Sequence, residues 1–70
     1  MKSNNIIVLH YADTNFPVVV DIDEISAVYK NDDAPTTTLY VGSWLITVKE
    51  TVGTIIQKII TVENNKNKEN

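Results

Sequence analysis

Apolar residues alternate with a period of two through most of the first 50 positions and then change to helical spacing. "NIIVLHY" (5–11) and "FPVVVDI" (16–22) are β-branched and aromatic runs separated by the turn formers "ADTN". They predict a hairpin with a four-residue loop, in which Tyr11 opposes Phe16, Leu9 opposes Val18 and Ile7 opposes Val20. "DIDEI" (21–25) reads as a corner with one short helical turn. "SAVYK" (26–30) reads as a third strand and "NDDAP" (31–35) as a loop.

"TTTLYVGSWLITV" (36–48) predicts a second hairpin around Gly42-Ser43, a type II′ turn with glycine first. The turn sets the register. Val41–Trp44, Leu39–Ile46 and Thr37–Val48 share one face, assigned to the core. Tyr40–Leu45, Thr38–Thr47 and Thr36–Lys49 share the other.

From Glu50 the period becomes that of a helix. Val52, Ile55, Ile56, Ile59 and Val62 fall on one stripe of a helix over 50–63, with Thr51 as its N-cap. Gly53 and the β-branched residues weaken intrinsic helicity, so this helix depends on packing. "NNKNKEN" (64–70) reads as a flexible polar tail.

The expected fold is α+β: a small antiparallel β-sheet of four to five strands with one C-terminal α-helix packed on one face. A single compact domain spans 1–63, followed by the tail at 64–70. One helix covers one face, yet both hairpins are apolar on two. Ile7, Leu9, Tyr11, Phe16, Val18 and Val20 form one side of the first hairpin; Ile6, Val8 and Val19 lie on the other. A sheet of this kind curls on itself or meets another molecule. The candidate interaction surface is therefore Tyr40, Leu45, Thr38 and Thr47, with Val8 and Val19 of the first hairpin.

Composition narrows the classes of function. The chain has 70 residues, no cysteine, six basic residues that are all lysine, and a net charge of −3. A small domain without disulfides often gains its missing burial by oligomerising. Without arginine there is no bidentate reader of phosphate or guanine, which disfavours direct nucleic-acid binding. No segment approaches the ~18 apolar residues of a membrane span. The opening "MKSNNIIVLHYA" alternates like a strand rather than a signal peptide. No membrane insertion and a cytoplasmic location are expected.

Chemistry is sparse. His10 is the single histidine, and no serine sits in a nucleophile-elbow context, so no catalytic residue is assigned. His10 reads as a strand residue opposite Pro17. Asp21, Asp23, Asp32 and Asp33 supply carboxylates, but "DIDEISAVYKND" lacks the central glycine of a calcium loop. They read as solvated corner residues. No metal and no cofactor is expected, and two glycines eleven apart make no phosphate loop. Trp44 reads as a core residue or the rim of a contact surface.

Several pieces of the chain resemble a known pattern: "TTL" at 37–39, Gly42, "VKET" at 48–51 and "VGTIIQKI" at 52–59, with "NF" at 15–16 and "DIDEISAV" at 21–28 upstream. Together they resemble the FlbD-like short flagellar-accessory proteins of bacteria, over about residues 6–60. Two features depart from that pattern. Thr51-Val52-Gly53-Thr54 lacks the glutamate of a capping box, and Trp44 is bulky for the strand after the turn. The resemblance implies a small accessory protein with no known chemistry.

The resulting expectation is a non-enzymatic protein–protein interaction or assembly module that acts through an apolar sheet face. Its partner would be another copy, giving a homo-oligomer, or a different protein. Two alternatives stand beside it: a phage or mobile-element structural subunit or inhibitor protein, and a small regulator that contacts nucleic acid.

Overall fold

Alternation in the first hairpin produces β1 (Ile6–His10) and β2 (Pro17–Asp21), antiparallel, with Leu9 opposite Val18 and Ile7 opposite Val20. The computed structural model describes residues 5–68; the outermost residues of the expected domain and tail, 1–4 and 69–70, lie outside the described residues. A 3-10 turn at Ile22–Glu24 follows, and Asp21 caps it by accepting from the Asp23 amide at 2.9 Å. β3 (Ile25–Lys30), β4 (Thr37–Val41) and β5 (Trp44–Val48) form a second antiparallel sheet in chain order. Its register matches the expectation: Val41 faces Trp44, Leu39 faces Ile46, and Tyr40 faces Leu45. Gly42 holds φ +62°, and positive φ at the first turn position alone suits a type II′ turn.

Five strands thus form two sheets, not one, and this answers how two-faced hairpins are covered. Ile7, Leu9, Val18 and Val20 from the first sheet meet Leu39, Ile46 and Val48 from the second in one core, which Ile55 of the helix completes. Leu9, Leu39, Val48 and Ile55 are fully buried. Each such side chain stabilises the fold by about 1.5–3 kcal/mol relative to exposure. The sheets cover each other's inner faces. Both outer faces are left to solvent.

One corner stitches the sheets together. Tyr11 bridges to Val48, the Ala12 amide donates to Thr47 O at 3.0 Å, and the Lys49 amide donates to His10 O at 3.0 Å. Each ladder also extends by one bond of its own: the Ile22 amide donates to Asn5 O beyond β1–β2, and the Gly42 amide to Glu24 O beyond β3–β4.

α1 (Val52–Lys68) starts at Thr51, whose hydroxyl accepts from the Thr54 amide at 3.1 Å. It packs against β1 and β3. The helix runs past the expected end at Glu63 to Lys68. Its buried stripe is also narrower than the expected one. Ile55 is buried and Val52, Ile59 and Val62 are partly buried, but Ile56 is 48% exposed. Two small sheets present only a narrow end for a helix to cover. No helix among the described residues is long and apolar enough to cross a membrane.

Candidate functional site

The outer face of the β3–β4–β5 sheet carries the richest exposed patch. Tyr40 is flanked by Leu45 on β5 and by Ala27 on β3. Tyr29, opposite Thr38, lies diagonally from Tyr40, and the two rings are 6.2 Å apart with planes tilted by 31°. Tyr29, Tyr40 and Leu45 are 46%, 39% and 53% exposed. These values mark side chains that the monomer leaves half in water although they lie side by side. The Tyr29 phenol is held above its ordinary value, first by a hydrogen bond with the Tyr40 side chain, then by burial and by the charge Tyr40 develops.

Of the six residues expected at the surface, five are exposed: Tyr40, Leu45, Thr47, Val8 and Val19. Thr38 is not. It is buried, and its hydroxyl donates to Asn31 Oδ1 at 2.8 Å. Asn31 in turn donates to Thr36 Oγ1 at 2.8 Å and pairs its amide with Thr36 O. Asn31 and Thr36 continue the β3–β4 register where the hairpin closes, and the Asn31 side chain takes up the Thr38 hydroxyl at a position that strand alternation assigns to solvent. The single face expected from one sheet also divides. Val8 and Val19 oppose each other on the outer side of β1–β2, while Tyr40 and Leu45 lie on the outer side of the other sheet. Because both inner faces meet in one core, the two patches point in different directions.

Two aromatic side chains lie outside the core, one of them, Trp44, on the face that register assigns to it. Trp44 is 50% exposed and meets Tyr11 edge-on, with ring centroids 6.5 Å apart. Phe16 is 67% exposed, because it follows the left-handed Asn15 at the hairpin end and projects beyond the core. A cleft of about 390 Å³ opens beside Trp44, lined by Tyr11, Leu45 and Thr47 among others.

His10 does stand opposite Pro17, but it has a partner that its sequence position does not reveal. Glu50 takes the His10 amide on Oε1 at 2.9 Å and the imidazole Nδ1 on Oε2 at 2.7 Å. Thr37 adds a hydroxyl bond to Glu50 O at 2.7 Å. Burial pushes the Glu50 carboxyl up. Hydrogen bonds from the His10 ring, the His10 amide and its own amide outweigh that, and with the His10 charge they hold it below the usual carboxylate value. The pair clamps the end of β1 to the turn before α1. Its bonds run between β1, β4 and the turn before α1, and they hold these elements together.

Asp21 and Asp23 are occupied locally: Asp21 caps its turn, and Asp23 Oδ2 accepts from Asn5 Nδ2 at 2.9 Å. No group of three His, Cys, Asp or Glu side chains that would hold a metal forms among the described residues.

No family model, curated protein or solved structure matches the chain.

Proposed function

We propose that the chain is a small non-enzymatic protein–protein interaction and assembly module. It associates with further copies of itself by burying the outer face of β3–β4–β5. The supporting observation is the adjacent trio Tyr29, Tyr40 and Leu45, half exposed on the outer face of an antiparallel sheet. Tyrosines are enriched at the centres of protein interfaces because they bury a large area at little conformational cost. The patch is uncharged, so two copies meet there without like-charge repulsion. The resemblance to FlbD-like accessory proteins supports the same reading, an accessory protein that works by contact.

Light scattering behind a sizing column, over a range of concentrations, tests this. The expected result is a multiple of the 7.9 kDa chain that falls to the monomer in Tyr40→Lys and in Leu45→Lys. A wild-type mass of 7.9 kDa at every concentration overturns the self-association reading.

A further inference from the structure

The free edge of β1 carries an observation independent of that face. In the first hairpin the odd-numbered residues of β1 bond to β2: the Tyr11 amide donates to Phe16 O, and Asn5 O accepts from Ile22. The even-numbered residues therefore direct their N–H and C=O groups to the opposite edge. At His10 that edge is used, by Lys49 and Glu50. Beyond it the chain turns away into α1, and β1 has no other strand partner among the described residues. Ile6 and Val8 are left with two donors and two acceptors facing outward.

A groove of about 500 Å³ lies along this edge. Three consecutive strand residues, Ile6, Ile7 and Val8, line it, which places it at the strand edge rather than on one face. Its far wall is one flank of α1, including Thr54, Lys58 and Thr61. Lys58 is half-buried, has no ion-pair partner among the described residues, and is the one charged side chain in the lining. A row of unpaired backbone groups opposite a helix, with a lone ammonium in the wall, has a defined complement. That complement is an extended segment that pairs with β1 and carries a carboxylate at the position facing the helix.

The geometry points to the β1–α1 groove as a docking site for an extended apolar segment of another protein bearing an acidic side chain. The segment adds one short strand beside Ile6 and Val8, in the position β5 would occupy had it not turned off at Lys49. Its carboxylate meets Lys58. A second copy of β1 is a poorer occupant, because it brings no acidic side chain to Lys58: 5–10 reads "NIIVLH".

The test uses the full chain, labelled with nitrogen-15, and the probe acetyl-Thr-Val-Thr-Glu-Thr-Val-Thr-amide. Its valines and glutamate share one face when extended. Hydrogen exchange at the Ile6 and Val8 amides is expected to slow about tenfold when the probe saturates. Replacing the probe's glutamate with glutamine, or Lys58→Met in the protein, is expected to weaken binding about fivefold. Tyr40→Lys leaves probe binding unchanged, so failure here is separable from failure of the assembly proposal. Val8→Pro removes one edge donor and is expected to abolish binding; if circular dichroism shows that variant unfolded, Lys58→Met decides. Unchanged exchange with the probe overturns the inference, as does equal affinity of the glutamine probe. Protection of both amides in the free protein that grows with its concentration also overturns it, by placing a second copy in the groove.

Discussion

The two hairpins are built from strands of the same length, yet they fold into different surroundings. β1–β2 stands as a two-stranded sheet, while β4–β5 gains β3 as a third strand. The outer side of the first is aliphatic, with Ile6, Val8 and Val19; that of the second is aromatic and hydroxylated, with Tyr29, Tyr40, Leu45 and Thr47. Edges differ as well. β4 is paired on both sides, whereas β1 keeps Ile6 and Val8 unpaired on one. Periodicity thus sets which side chains point inward, and neighbouring elements decide what the outward ones meet.

A charge placed on adjacent residues of β4 separates inward from outward positions most strongly. Leu39 is fully buried against both sheets, and Tyr40, next in sequence, is 39% exposed. Leu39→Asp buries an unpaired carboxylate in the core and is expected to cost more than about 4 kcal/mol. A chain of this size has roughly 5 kcal/mol in total, so the variant should be unfolded by circular dichroism at 25 °C. Tyr40→Lys gives up a half-exposed ring and its cross-strand contacts, and should stay folded, within about 1 kcal/mol of the parent in urea titration. If Tyr40→Lys also unfolds the monomer, the outer face is not a surface.

A smaller effect tests the junction between the hairpins. Glu50 is bonded to both the amide and the ring of His10, so Glu50→Gln should cost about 1–2 kcal/mol at neutral pH. The pH dependence has a definite sign. The Glu50 pKa is lower folded than unfolded, so its contribution is complete above the unfolded value of about 4.3. It is lost as pH falls through the folded value. The urea midpoint of the parent should therefore drop more between pH 6 and pH 3, as an order-of-magnitude window around that value, than that of Glu50→Gln. Equal drops would mean that the clamp contributes nothing.

Much of this was legible in the residues and some was not, for physical reasons. Strand registers followed from turn chemistry: Gly42-Ser43 and "ADTN" leave few ways to align their flanks. The helix start followed from Thr51. The division into two sheets was hidden, because alternation records that a face is buried and not which element buries it. Thr38 escapes the alternation for a related reason: the Asn31 side chain, seven residues away, bonds its hydroxyl on the outer face. The Glu50 partner of His10 lies forty residues off, a separation no local pattern encodes. The β1 groove depends on where β5 turns away, so it emerges only in three dimensions. Of the proposed surface, the Tyr40–Leu45 pairing was legible from register, while the contribution of Tyr29 was not, since it needed the β3–β4 alignment.

The turns offer the finest comparison, because each hairpin closes through one residue in the left-handed region, Gly42 at φ +62° and Asn15 at φ 66°. Glycine adopts that conformation without steric penalty, and asparagine tolerates it better than other side chains do. Gly42→Ala places a methyl both in a strained backbone and 3.3 Å from Glu24 Oε1. The Glu24 end can swing aside, so backbone strain dominates and the expected loss is about 1–2 kcal/mol. Asn15→Gly relieves part of the strain in the first turn but loosens the unfolded chain. These terms oppose each other, and the urea midpoint should move by less than the equivalent of about 0.5 kcal/mol. A large stabilisation by Asn15→Gly would mean that the first hairpin, not the second, carries the greater turn strain. The better closed of the two would then be the one supported by β3.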